Sequence, residues 1–190
     1  MFARLKRWLA LEVVSDPRIH MRTCELYWEE LAAGRFERHG DCTAAQNELA
    51  KCGPEVRDWA RGLLNHPEYE ARSFGAFLLG ELGRKRQLGD GEDAVIEELG
   101  ALTRRPIGEE AKEAEAVCSA VTAIGRIGNR RAVPFIRDVL NSTDPSIVGD
   151  TQWEAAGVLG RLVGEQFNRT GNPVAAAVAW LASHPVDNDE

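Results

Sequence analysis

The side chains that could act as nucleophiles, bases or metal ligands are concentrated in the segment 39–42, which reads His-Gly-Asp-Cys. A zinc site needs three or four ligands that converge at about 2.0–2.3 Å. Only His20, Cys24 and Cys52 could complete such a set, and no spacing among them predicts that convergence. The segment is therefore predicted to be a polar loop. We predict no catalytic residue, no metal ligand and no cofactor, and the chain is predicted not to be an enzyme.

A second set of side chains suits binding rather than catalysis. It mixes aromatic and guanidinium groups, which are enriched at the centres of protein interfaces, with one carboxylate. Trp153 is predicted on an outward stripe of its helix and is the expected anchor, while partial burial under the turn 141–149 is the alternative. The whole set is predicted to bind a partner protein, with an ordinary solvated face as the alternative interpretation. Its members are Phe77, Glu81, Arg126, Trp153 and Arg161.

Helices must position these residues, and the chain repeats one helical unit. Prolines recur at intervals of 39, 39 and 40 residues, and a period of this length is typical of helical repeats. Three Ala-rich inner helices, predicted over 68–82, 109–127 and 150–163, close on Leu-Gly or Ile-Gly. Their small residues, Gly75 and Gly157 among them, are predicted to let neighbouring helices approach closely. The recurring prolines are Pro67, Pro106, Pro145 and Pro185.

The remaining elements follow from hydrophobic spacing and from Pro and Gly stops. Alignment of the inner helices by their closing glycines predicts an acidic row at the helix starts and a mixed row at the helix ends. The acidic row is Glu70, Glu115 and Asp150, and the mixed row is Glu81, Arg126 and Arg161. An exposed, mobile connection is predicted over 84–92. Further helices are predicted over 2–14, 18–33, 43–52, 55–65, 93–104, 131–140 and 173–182.

Residues 66–83, which read His-Pro-Glu-Tyr-Glu-Ala-Arg-Ser-Phe-Gly-Ala-Phe-Leu-Leu-Gly-Glu-Leu-Gly, resemble a HEAT-like repeat of the type related to PBS-lyase repeats. In that pattern an Asp-Pro turn precedes a helix that bears a Val-Arg pair and ends in Leu-Gly. Arg72 occupies the arginine position, whereas Val117 and Gln152 stand there in the next two units. The resemblance covers about residues 54–164. It implies an α-superhelix whose inner helices line a concave surface that holds another macromolecule.

Charge and composition limit the partners. The formal net charge of −7 repels nucleic acid and anionic bilayers, so both are disfavoured. No apolar run approaches the roughly 20 residues that span a bilayer. Four cysteines without a C-x-x-C pair, in a chain without an export signal, indicate reduced thiols and a cytoplasmic location.

The resemblance also implies catalytic alternatives, because HEAT-like folds include bilin lyase subunits and alkylpurine DNA glycosylases. A glycosylase needs a basic groove for its polyanion, which the net charge argues against. A bilin lyase would need a partner subunit and a pigment. A further alternative is an acidic immunity protein that covers the active-site groove of a basic toxin.

We therefore predict an all-α protein, an α-α superhelix that forms a HEAT-like solenoid of about four to five helix pairs. Residues 1–190 are predicted to form one domain, in which 1–53 are N-terminal capping helices, 54–185 are the repeats and 186–190 are an acidic tail. Its predicted function is non-enzymatic binding of a partner protein on the concave face.

Overall fold

The structure is a computed structural model that describes residues 16–33, 42–106 and 112–185. In these residues it contains nine α-helices and no β-strand, so the all-α prediction is confirmed there. The predicted helix 2–14, residues 39–41 of the polar segment and the acidic tail lie outside the described residues. The chain divides into two compact units, residues 1–58 and 59–190, and the single-domain assignment stays a prediction.

Most of the helices lie in the second unit, where their bounds follow the predictions to within a few residues. None of the helices in the described ranges is long and apolar enough to cross a membrane. Short 3-10 helices precede α3, α5 and α7 and follow α8. The α-helices are α1 Pro17–Ala32, α2 Thr43–Leu49, α3 Arg57–Leu63, α4 Tyr69–Arg84, α5 Glu92–Thr103, α6 Glu113–Ile127, α7 Val133–Leu140, α8 Asp150–Val163 and α9 Pro173–Ser183.

Local capping chemistry sets several of these bounds. Asp16 caps α1 by accepting a hydrogen bond from the backbone N–H of Arg18 at 3.0 Å, and Pro17 occupies the first helical position. Gly128 and Gly164 follow α6 and α8 with φ of 74° and 83°, the left-handed conformation that commonly ends helices at glycine. The closing glycines of the sequence pattern thus act as helix stops.

The first unit packs α1 against α2 around buried side chains that include Trp28 and Leu49. The thiols of Cys24 and Cys42 are buried there and contact one another. The hydrogen bond to Cys42, followed by burial, raises the pKa of the Cys24 thiol, so this cysteine stays protonated and is a poor nucleophile.

In the second unit α6 packs between α4 and α8, and α9 packs against α8 on its other side. Helix α5 packs on α6 and α7 packs on α8. Leu64, Leu102 and Leu140 are 38 residues apart and all three are buried, so residues one period apart occupy equivalent environments. The consequence for function is that the three Ala-rich helices lie side by side.

Ion pairs connect successive helix pairs within the second unit, and the two partners of each ion pair lie nearly one period apart in the sequence. The Arg61 guanidinium donates to Glu98 at 2.8 Å, and Arg104 donates to Asp138 at 2.7 Å. These partners are 37 and 34 residues apart. Partly exposed ion pairs of this kind are worth at most about 1 kcal/mol each, so the buried side chains carry most of the stability.

The connection between α4 and α5 is exposed at Arg84, Arg86, Gly89 and Asp90, as the sequence predicts, but Leu88 within it is fully buried. Arg86 adopts a left-handed φ of 58°, and the backbone N–H of Gln87 donates to the carbonyl of Leu82 at 2.8 Å. This backbone turn folds the chain back on the end of α4 and directs Leu88 into the interior. The burial of Leu88 could not be predicted, because Arg86 is not a residue type that announces a left-handed turn.

Candidate protein-binding surface

Helices α4, α6 and α8 bring the candidate residues onto one surface. A Cβ atom at Gly80 would lie 2.9 Å from the Cα atom of Ala123, so α4 and α6 touch at their backbones. A Cβ atom at Gly125 would lie 2.8 Å from a methyl group of Val158, so α6 approaches α8 as closely. The predicted close approach is wrong at Gly157, where the nearest atom would be 3.7 Å away. Closeness at the other two glycines fixes the spacing of the three helices.

The ends of these helices carry a group of side chains that satisfy one another. Glu81 contacts the guanidinium of Arg84 at 2.7 Å and that of Arg126 at 3.0 Å. The Arg126 guanidinium also lies 5.2 Å from the ring centroid of Phe77, within the range of a cation–π interaction. We call Phe77, Glu81, Arg84 and Arg126 the ion-pair cluster. It contains three of the five predicted binding residues, already engaged within the protein.

The ion-pair cluster lowers the pKa of its one carboxylate, Glu81. Hydrogen bonding from Arg84, supported by the charge of Arg126, holds the pKa of Glu81 below its ordinary value despite partial burial. Phe77 in turn stacks on Phe74, with ring centroids 6.0 Å apart and an interplanar angle of 20°. A partner that docked on this cluster would have to compete with contacts that the protein makes itself.

Arg161 extends this surface from α8 toward α6. One of its guanidinium nitrogens lies 3.1 Å from Glu154, and a Cβ atom at Gly125 would lie 2.7 Å from the same nitrogen. The side chain therefore lies over α6 beside Gly125, the residue that precedes Arg126 in the chain. Trp153 lies eight residues earlier on α8, about 12 Å away along the helix axis.

Trp153 differs from Phe77, Glu81 and Arg126 because it is exposed, whereas those three residues are only partly exposed. It is 55% exposed, and Val148, just before α8, is 53% exposed. This exposure agrees with the predicted outward stripe on α8, while partial burial under the turn 141–149 remains the alternative for the covered part of the indole. Only Ile19 and Leu26, both in the first unit, are other large apolar residues exposed in the described ranges.

Carboxylates lie at the starts of α6 and α8, the same ends of these helices as Cys118 and Trp153. Asp150 precedes Trp153 by three residues and so shares its side of the helix. Cys118 occupies the position in α6 that Trp153 occupies in α8. Burial raises the pKa of the Cys118 thiol, and the charges of Glu154, Asp150 and Glu115 raise it further, which places these carboxylates close to the thiol. We call Glu115, Val148, Asp150 and Trp153 the Trp153 patch.

Two buried polar side chains hold the starts of α4 and α8 against the preceding turns. Arg72 is 3% exposed, donates to the carbonyl oxygens of His66 and Pro67, and pairs with Glu113 of α6. Gln152 is 8% exposed and donates to the carbonyls of Leu140 and Ser142 at 3.0 and 2.9 Å. Each such bond contributes about 0.5–1.5 kcal/mol net.

Gln152 departs from the repeat pattern, which has an arginine at this position. Its amide nevertheless donates to backbone carbonyls of the preceding turn, as the Arg72 guanidinium does. The signal that could have revealed this is the position itself, since a long side chain with N–H donors occurs two periods after the arginine. The consequence for the surface is direct, because Gln152 immediately precedes Trp153 and is fixed by three backbone carbonyls. The indole therefore stands on an anchored helix start.

In the ranges that the structure describes, no group of three or more His, Cys, Asp and Glu side chains is placed to hold a metal ion. Residues 39–41 are not within those ranges. No protein-family model matches this chain, and neither does any curated protein sequence. The proposals that follow are argued from the geometry of the chain itself.

Proposed function

We propose that this chain is a HEAT-like α-superhelical repeat protein that binds another protein through the surface formed by α4, α6 and α8. Support for the repeat comes from the side-by-side packing of these helices and from the shared burial of leucines one period apart. Packing at Gly80 and Gly125 preforms the surface, so binding costs little ordering entropy. The proposal includes action in the cytoplasm without catalysis.

The observation that carries the binding role is the exposure of Trp153. An indole side chain that is 55% exposed offers roughly 100–150 Å² of apolar area, and its burial by a partner would contribute about 3 kcal/mol. Tryptophan is also among the residues most enriched at energetic hot spots of interfaces. Arg161, which is half exposed and lies two turns further along the same helix, adds a guanidinium to the surface.

The experiment is affinity capture from the cells that make this protein, with bound proteins quantified by mass spectrometry. The combined variant Trp153→Ala and Arg161→Ala should lose the specific partner, while circular dichroism shows unchanged helicity. The matched control, Leu26→Ala and Arg131→Ala, also removes one exposed apolar and one exposed basic side chain and should keep the partner. Capture that survives the first variant would place the interface elsewhere.

Neutralisation of a basic toxin is a second candidate function of the same interaction class. The observation that favours it is the set of carboxylates at the starts of α6 and α8, since an immunity protein must complement a basic groove. Its partner would have to lose its toxic activity on binding. Partner activity measured with and without this protein separates neutralisation from simple capture.

A further inference from the structure

The surface of α4, α6 and α8 carries more negative charge than it neutralises. Each of its arginines has a carboxylate partner on the same surface, because Arg84 and Arg126 contact Glu81 and Arg161 contacts Glu154. The carboxylates that remain are Glu70, Glu115 and Asp150, one at the start of each helix.

Lys112, the residue before α6, is exposed and joins the three arginines as a fourth cation. Because Glu81 is shared by two arginines, these four cations and the five carboxylates leave an excess of one negative charge. In the described residues, neither Glu115 nor Asp150 takes part in an ion pair.

Asp150 lies one helical turn before the exposed indole, so its charge restricts which partner can cover the indole. The face of an indole attracts a guanidinium or ammonium group with about 0.5–1 kcal/mol when exposed and about 2 kcal/mol when water is excluded. A neutral or acidic partner would bury the carboxylates without compensation, and unpaired buried charge costs several kcal/mol. A basic side chain gains from both the indole and the carboxylates.

We infer that the Trp153 patch receives a lysine or arginine side chain from a basic partner protein, which lies on the indole while Glu115 and Asp150 pair with its charge. The inference rests on the proposed function and specifies the chemistry of the partner.

The probe for this inference is hexalysine, with hexaglutamate as its opposite. The full chain is labelled with fluorotryptophan, and Trp153→Phe assigns the Trp153 signal in fluorine NMR spectra. Titration with hexalysine should shift the Trp153 signal to saturation at low salt, and hexaglutamate should leave it in place. The apparent affinity should fall at least about twofold in the variant Glu115→Gln with Asp150→Asn, since each exposed charge contact is worth about 0.2–1 kcal/mol.

A charge-matched control separates local contact from the net charge of −7. Asp90 and Glu97 are exposed in the same unit, outside α4, α6 and α8, and Asp90→Asn with Glu97→Gln removes the same two charges. This control should bind hexalysine as the wild type does. An equal weakening in both double variants would overturn the inference, as would a Trp153 signal that does not move at about 10 mM hexalysine, a concentration that detects contacts worth only a few kcal/mol.

Failure of the inference can be distinguished from failure of the proposed function. The native partner could be lost with Trp153→Ala but still be captured by the variant Glu115→Gln with Asp150→Asn, and by the wild type at high salt. In that case the surface binds a partner that is not basic. If the wild type self-associates in analytical ultracentrifugation and Trp153→Ala does not, the occupant is a second copy of this chain. Either result overturns the inference and leaves the binding surface in place.

Discussion

The two ends of the surface formed by α4, α6 and α8 differ in how their side chains are satisfied. In the ion-pair cluster, every charged group has a partner of opposite charge, and the Phe77 ring is covered by a guanidinium. In the Trp153 patch, the indole and Val148 face solvent and the carboxylates have no paired cation in the described part of the chain. The two ends share only α6, because the ion-pair cluster lies on α4 and α6 and the Trp153 patch lies on α6, α8 and the turn before α8.

This difference separates side chains that stabilise the fold from side chains that remain available to a partner. A charge already paired must first lose its partner before it gains anything from binding, so the net gain is small. An exposed indole gives up only water when it is covered. Composition alone does not make the distinction, since both ends contain aromatic and charged residues.

The largest difference in the free energy of unfolding is expected between alanine variants of two helix glycines. Gly80 lies beside the ion-pair cluster, and Gly157 lies beside the Trp153 patch. Gly80→Ala should destabilise by about 1–2 kcal/mol, because its Cβ atom would lie 2.9 Å from the backbone of Ala123 and the helices would have to separate. Gly157 lies one turn from Trp153, and a Cβ atom there would make only ordinary van der Waals contacts, the nearest at 3.7 Å, so Gly157→Ala should gain up to about 1 kcal/mol from helix propensity. Urea denaturation measures both. A stabilising Gly80→Ala would show that α4 and α6 are not in backbone contact.

A smaller difference is expected between the two aromatic residues. Phe77→Ala should lower the free energy of unfolding by about 1–2 kcal/mol, because Phe77 stacks on Phe74 and supports Arg126. Trp153→Ala should change it by less than about 0.5 kcal/mol, as most surface substitutions do. Thermal unfolding of the two variants provides the test, and equal losses would remove the distinction between the two ends.

The smallest effect concerns pH. The pKa of Glu81 is lowered in the folded protein, so its stabilising contribution is complete above the ordinary glutamate value of about 4.3 and is lost as pH falls through the lower folded value. Glu81→Gln should therefore be less stable than the wild type near pH 7, by less than about 1 kcal/mol, and the gap should close in acid. Unfolding curves that keep a constant gap down to about pH 2 would show that the Arg84 and Arg126 contacts do not hold the charge.

Much of the helix pattern could be predicted from the sequence, and α8 is the strongest case. Its bounds, Asp150–Val163, equal the predicted 150–163, because a proline turn precedes it and a left-handed glycine follows it. The α4 to α5 connection could not be predicted in the same way. There, Arg86 makes the left-handed turn and buries Leu88, and nothing in the local composition distinguishes that segment from a polar loop.

The sequence predicts which residues lie on the surface, but it predicts their ion-pair partners only in part. Alignment of the repeats predicts an outward Trp153, and it places Glu81 and Arg126 at equivalent positions of adjacent helices. Opposite charges at such positions face each other, so the ion pair between them was within reach of the same alignment. The orientation of Arg161 toward Glu154 was not, since it depends on the room that Gly125 leaves.

The interchange of Arg72 and Gln152 has a consequence for how such a chain can change. The guanidinium of Arg72 needs the carboxylate of Glu113 as a counter-charge on the next inner helix, whereas the neutral amide of Gln152 needs only backbone oxygens, which every sequence provides. A unit anchored through glutamine is thus released from its neighbour's side chains, and the residues around it are free to vary over generations. The exposed tryptophan follows this less constrained anchor in the chain, where a recognition surface can diversify without loosening its support.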